Sequence, residues 1–302
     1  MKEGTVKPPV RIMIARFPFG RSENPSITDW LVTTVGQMRT DERISEILNW
    51  SVDDTPITMG RNRCIRAAKD RKADFLLMID SDMEIDAHLA NVKSPLPSHP
   101  DAKPFWQTSF DFAWDMYQQD RPCVVAAPYC GPSPHQCVYV FKWHTDRSGT
   151  VHSPFSLEMY DREHADIMRG IQPAAALATG LILIDMNGIE KLDPPYFYYE
   201  WDDALEDAKA STEDVTFTRD LAMAGVEIFC NWDAWCGHWK RECVGRPVVI
   251  GTASVGAKFR RAVLYDANIK DPSDEFVMMP YVHSNGNGKP EATQPEEVPV
   301  HG

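Results

Sequence analysis

Short unbroken apolar runs alternate along this chain with stretches whose apolar residues recur every three to four positions. That alternation predicts an α/β architecture of parallel strands joined by helices. Residues 10–15 (VRIMIA) are expected as the first strand, and residues 26–38 as a helix with Ser26 as its N-cap. Residues 44–52 predict a second strand that ends at Asp53 and Asp54, and residues 60–72 a helix with Cys64, Ile65, Ala67 and Ala68 inward. The run FLLMI at residues 75–79 has no polar alternation, so it predicts a strand covered on both faces. Further on, the pattern predicts helices over 105–119, 161–170, 187–192 and 212–224, the last closed by Gly225. Strands are expected over 123–127, 181–185 and 226–230, with a hairpin over 136–152 that turns at Arg147-Ser148-Gly149.

Composition narrows the function classes. The 302 residues are 43% hydrophobic and 25% charged, an ordinary globular balance, and the net charge is −13. Such a charge argues against a protein whose main task is to grip nucleic acid or an anionic membrane. No apolar run approaches the ~18 residues of a membrane span. The longest candidate, residues 174–184, is interrupted by Thr179 and Gly180. Residues 1–9 lack the apolar core of a signal peptide and read as a loose lead-in, and residues 284–302 read as a disordered tail. A cytoplasmic location is expected. The odd count of seven cysteines (Cys64, Cys123, Cys130, Cys137, Cys230, Cys236 and Cys243) fits reduced thiols, and none makes the close pair common in zinc sites.

Four chemical signals stand out. Asp80-Ser81-Asp82 ends the most apolar strand, and ligands of open α/β sheets collect beyond the carboxyl ends of strands. Alternate side chains of an extended segment share a direction, so the two carboxylates can face one divalent cation with phosphate oxygens. A solvated acidic turn has the same sequence. Glu213-Asp214 opens a helix, where acids complement the helix dipole, or where one can act as general base. His238 follows Gly237 and is either structural or a metal donor. Arg61 and Arg63 lie near a helix start, a place suited to phosphate; Arg63 also fits a solvated face.

The blocks MGRNRCIRAAKDRKADFLLMIDSDM, AALATGLILIDMNGIEKL, PPYFYYEWDD and STEDVTFTRDLAMAGVEIFCNWDAWCGH, in that order, resemble the GT-A glycosyltransferases. The likeness is to the family-two-like nucleotide-sugar enzymes and covers residues 10–238. It implies a Rossmann-like GT-A domain with a central, mostly parallel sheet flanked by helices. Residues 10–130 would be its nucleotide-sugar-binding half and residues 131–283 its acceptor-binding and catalytic half.

By the same resemblance Asp80 approaches the nucleotide and the metal, Asp82 binds the metal, and His238 is the third ligand of a Mn²⁺ or Mg²⁺ ion. Asp53 or Asp54 would read the base, Arg61 would face the diphosphate, and Gly180 would leave room for the donor sugar. Asp214 would be the base of an inverting transfer, and Glu213 would hold the acceptor or orient the base. Tyr199 and Trp201 belong to an aromatic cluster at residues 196–201 that suits either sugar stacking or core packing.

The implied function is metal-dependent transfer of a sugar from a nucleotide-diphosphate donor to a hydroxyl acceptor, whether glycan, protein, lipid-linked molecule or modified base. Two departures bear on it. Residues 16–19 are Arg-Phe-Pro-Phe rather than a polar loop, and residues 86–120 form a long insertion after the acidic triplet. A nucleotidyltransferase acting on a sugar phosphate is the alternative enzyme, although residues 16–21 supply only a faint version of the Gly-rich, Lys/Arg-bearing loop it needs after the first strand. An inactive nucleotide-sugar-binding module is the third reading, and it leaves a general base unexplained.

Overall fold

The computed structural model describes residues 6–18, 23–52, 56–132, 137–144, 157–202, 208–240 and 243–244. Asp53, Asp54, the turn at residues 147–149 and the tail at 284–302 lie outside the described residues.

The first half contains β1 (Val10–Phe17), α1 (Pro25–Thr40), β2 (Ile44–Ser51), α2 (Ile57–Asp70), β3 (Phe75–Asp80), β4 (Met83–Glu84), α3 (Phe105–Gln118) and β5 (Cys123–Ala126). There follow β6 (Val140–Trp143), β7 (Leu157–Met159), α4 (Arg162–Ile167), β8 (Ile171–Pro173), β9 (Ala176–Leu177), β10 (Leu181–Asp185) and α5 (Met186–Ile189). The last described elements are β11 (Glu200–Asp202), β12 (Ala208–Ser211), α6 (Glu213–Met223), β13 (Glu227–Asn231), β14 (Gly237–Trp239) and β15 (Cys243–Val244).

Seven strands form one sheet in the order β2-β1-β3-β10-β5-β13-β8. It is a mixed α/β arrangement, mostly parallel and consistent with a Rossmann-like fold. β3 explains the predicted double cover. Leu76 and Met78 face one apolar cluster, shared with Cys64 and Ile65 of α2 and Phe217 and Leu221 of α6. Phe75, Leu77 and Ile79 face the opposite cluster, with Ile27 and Met38 of α1 and Phe105, Phe110 and Met116 of α3. Each such side chain contributes roughly 1.5–3 kcal/mol by leaving water. The β3 strand therefore gives the acids at its end a base that is packed on both faces.

Three sequence expectations are corrected. Within a sheet expected to be mostly parallel, β10, the expected strand at 181–185, and β8 run antiparallel to their neighbours. β10 and β8 therefore run opposite to the other five strands of the sheet. The N-cap of α1 is Asn24, not Ser26: its side chain accepts the Ser26 N–H at 3.2 Å, and Pro25 takes the first helical position. The expected helix at 161–170 is shorter, α4 being capped by Asp161.

The insertion after the acidic triplet packs as part of the core. Asp86, at φ 56°, accepts the Phe105 N–H at 2.7 Å, so its carboxylate sits at the start of α3, and it also receives Trp30 Nε1 at 2.8 Å. Asp tolerates this left-handed backbone better than branched residues do. Gly225, at φ 76°, closes α6 as expected.

Candidate functional site

The carboxyl ends of β1, β3 and β5 and the amino end of β10 share one rim. Asp80 N donates to Gly180 O at 2.8 Å there, and Ala127 N to Leu181 O at 3.0 Å. Two clusters of predicted residues meet at this rim.

The first cluster centres on Arg61, which is 3% exposed. Its Nη1 donates to Glu213 Oε1 at 2.8 Å, and its Nη2 reaches both oxygens of Asp80, at 3.0 and 2.8 Å. The guanidinium also lies 5.6 Å from the ring centroid of Phe197, which stacks on Phe217 of α6. One planar fork thus ties α2, β3 and α6 together, a task for arginine rather than lysine. Its charge is spent on two carboxylates.

The second cluster joins residues far apart in sequence. His238 Nε2 lies 3.2 Å from Asp82 Oδ2, and Lys240 Nζ lies 2.8 Å from the same oxygen. β14 pairs antiparallel with β4, matching His238 to Met83, and Trp239 N donates to Asp82 O at 2.7 Å. His238 of β14 and Lys240, one residue past its end, both reach Asp82, while Trp239 turns to the other side. There Trp239 Nε1 donates to the buried Glu84 at 2.6 Å. Glu84 also receives Asn24 Nδ2 at 2.7 Å and Ser26 Oγ at 3.0 Å.

The tautomer of His238 follows from its contacts. Nδ1 faces the Cys130 carbonyl at 3.0 Å, and a carbonyl only accepts, so Nδ1 carries the proton. In the neutral ring Nε2 then presents a lone pair toward a carboxylate, an arrangement that calls for a proton or a cation between them. Tyr129 packs edge-on against the imidazole at 4.9 Å and holds the ring in place.

Asp214 stands in the first turn of α6. Its Oδ1 accepts Thr212 Oγ1 at 2.5 Å and Val215 N at 2.9 Å, which leaves Oδ2 without a hydrogen-bond partner among the described residues. Thr212 is the N-cap residue, yet its hydroxyl serves Asp214 and not the helix.

Asp80, Asp82, Glu213 and Asp214 outnumber the two full cations, Arg61 and Lys240, and the acids show it. Burial, then the Asp214 charge, pushes Glu213 up to about 7 against the pull of Arg61. Burial likewise raises Asp80, with Arg61 opposing. Burial also works upward on Asp82, but the His238 hydrogen bond and Lys240 outweigh it and hold the carboxyl well below its usual range. The Tyr129 phenol is raised well above its usual value by burial and by Asp214 and Asp80, so it stays a neutral donor.

This gives a pH signature. Glu213 is neutral in both folded and unfolded chains below about 4.5 and must ionise while buried as the pH rises through about 7. Its contribution to stability is therefore present at low pH and lost across that window, by no more than about 1.4 kcal/mol per pH unit. Melting temperatures taken from pH 4.5 to 7.5 should fall less steeply in Glu213→Gln than in the wild type. Equal slopes would show that Glu213 does not carry the effect.

The remaining predicted residues are placed as follows. At Gly180 a Cβ would meet Met83 Sδ at 2.7 Å and the Tyr129 ring at 2.9 Å, so the space the glycine leaves is taken by those side chains. Tyr196 and Phe197 are buried in the core; Asn62 binds their backbone through Oδ1, at 2.8 and 3.2 Å, and Nδ2, at 2.7 Å. Tyr198 donates to Asp220 at 2.6 Å, and Tyr199 is half-buried. Only the backbone of Trp201 is described, in β11. Arg63 is exposed. The six described cysteines are buried, and the side chain of Cys243 lies outside the described residues.

Among the described residues no three His, Cys, Asp or Glu side chains converge as a metal site. Of the expected trio, Asp82 and His238 meet, and Asp80 is held by Arg61. Sequence reasoning missed Tyr129, Lys240, Glu84 and Asn24. The i, i+2 spacing of His238 and Lys240 was the one legible sign among them.

The fold and this cluster define a mixed α/β protein with a cluster of acidic side chains at the strand-end rim. No family model and no curated protein matches the chain. Among solved structures it is similar to the crystal structure of A197 from STIV, at 13% identity and a TM-score of 0.43, over 80% of this chain and 96% of that one. Among the described residues no helix is long and apolar enough to cross a membrane.

Proposed function

We propose that the chain is a GT-A glycosyltransferase that moves a sugar from a nucleotide-diphosphate donor to a hydroxyl acceptor, with inversion. The observation that carries this reading is the approach of His238 Nε2 to Asp82 at the strand-end rim, across 156 positions of sequence. An imidazole nitrogen and a carboxylate oxygen 3.2 Å apart suit neighbouring positions around one small divalent cation. That mixed donor set fits Mn²⁺ better than Mg²⁺, which prefers oxygen alone. Asp82 and His238 would hold the ion, and phosphate oxygens of the donor would supply further ligands. When bound, the ion would neutralise charge on the departing nucleoside diphosphate.

The protein's own groups cover the acceptor side. Asp214 offers Oδ2 at the rigid start of α6 and would take the proton of the acceptor hydroxyl. Glu213, turned into the protein toward Arg61, holds that helix start against β3 and acts as a positioning residue. Arg61 then works through Asp80 and Glu213 rather than by facing the diphosphate. Asp53 or Asp54 would read the base, and Tyr199 and Trp201 would border the acceptor.

Hydrolysis of a panel of UDP-, GDP- and TDP-sugars with Mn²⁺, with and without chelator, tests this. Metal-dependent sugar release is expected, and Asp214→Asn should keep nucleotide binding while losing at least about a hundredfold in rate. Transfer by Asp214→Asn at the wild-type rate would remove it as the base. Pyrophosphate-dependent activity would favour a nucleotidyltransferase instead.

A further inference from the structure

Lys240 is the one member of the Asp82 cluster that no role above absorbs. Its side chain is 42% exposed on a long flexible stem, whereas the His238 side chain is 9% exposed and pinned between the Cys130 carbonyl and the Tyr129 ring. Both nitrogens address a single oxygen, Asp82 Oδ2. A divalent cation and an ammonium cannot share that oxygen without strong repulsion at this range. The histidine has nowhere to go, so the lysine must leave when a cation enters. Arg61 is buried and committed to Asp80 and Glu213, which leaves Lys240 as the exposed cation of the cluster.

The geometry points to Lys240 as an exchangeable counter-ion. In the donor-free protein it neutralises Asp82, and on donor binding its ammonium passes to a diphosphate oxygen and frees Asp82 for the cation. The inference rests on the glycosyltransferase reading and adds a donor-binding residue to it. Its consequence is coupling: a metal ion alone competes with Lys240, while metal and nucleoside diphosphate together recruit it. Lys240 directly follows β14 and its ammonium already lies on the Asp82 oxygen that His238 faces, so the exchange needs only a rotation of the lysine side chain.

The test reads binding and does not depend on turnover. Mn²⁺ affinity, followed by electron paramagnetic resonance without nucleotide, should rise about tenfold in Lys240→Met. Affinity for UDP or GDP with saturating Mn²⁺, followed by calorimetry, should fall about tenfold in the same protein and recover in Lys240→Arg. Shifts of the same sign, or the absence of either one, overturn the exchange. Asp82→Ala separates this failure from that of the larger reading. If Asp82→Ala loses Mn²⁺ while Lys240→Met changes nothing, only the lysine exchange fails. If Asp82→Ala binds Mn²⁺ like the wild type, the cation site itself is gone and the exchange with it.

Discussion

Replacing Asp82 with alanine is expected to weaken Mn²⁺ binding by at least about a hundredfold and to leave the fold standing. The side chain is 34% exposed and makes its ion pairs at a partly solvated rim. Pairs of that kind contribute only about 0–1 kcal/mol to stability. Its proposed work is different in kind, because among the described residues it supplies the negative charge that lies against His238 Nε2. Without it the imidazole would be left as a single protein ligand, too weak to hold a hydrated ion. Near-normal melting with lost Mn²⁺ binding is therefore the expected pair of results. Unchanged Mn²⁺ affinity would reduce the cluster to a hydrogen-bonded corner and remove the basis for a metal-dependent transfer.

Arg61→Met should behave in the opposite way, as a failure of stability. The arginine side chain is 4% exposed and its partners Asp80 and Glu213 are 22% and 11% exposed, so removing it strands two carboxylates beside Asp214. Breaking a buried pair costs about 3–5 kcal/mol, or roughly 10 °C in melting temperature for a domain of this size. Lysine at this position keeps the charge but not the fork, so Arg61→Lys should recover part of the loss and no more. Adding Glu213→Gln to Arg61→Met should restore some of the stability, since one of the stranded charges is gone. A melting temperature within about 2 °C of wild type in Arg61→Met would show that the α2–β3–α6 junction does not depend on this fork.

Much of the architecture was legible in the sequence because it is written in local periodicity. The run at residues 75–79 can only be a strand covered on both faces, and the apolar spacing of residues 64–68 can only seat a helix against it. The candidate rim was legible for a related reason. Acids that directly follow an apolar strand or open a helix lie at element ends, and element ends of an α/β sheet face one side. Direction was not legible. The run LILID reads the same either way, and only its pairing with β3 and β5 shows that β10 runs antiparallel to them.

Partnership was decided by tertiary structure alone. The sequence presents Asp80 and Asp82 as equals, but β3 ends at Asp80 and the chain turns at residues 81–82, which leaves Asp80 on Arg61 and Asp82 on His238 and Lys240. It presents Arg61 as a candidate phosphate ligand, but burial between α2, β3 and α6 commits its charge to two carboxylates. Residue type and order along the chain determined the elements and where they end, since those follow from contacts within a few positions. Which charge meets which was settled by packing across 19 to 158 positions, where neither propensity nor spacing carries information.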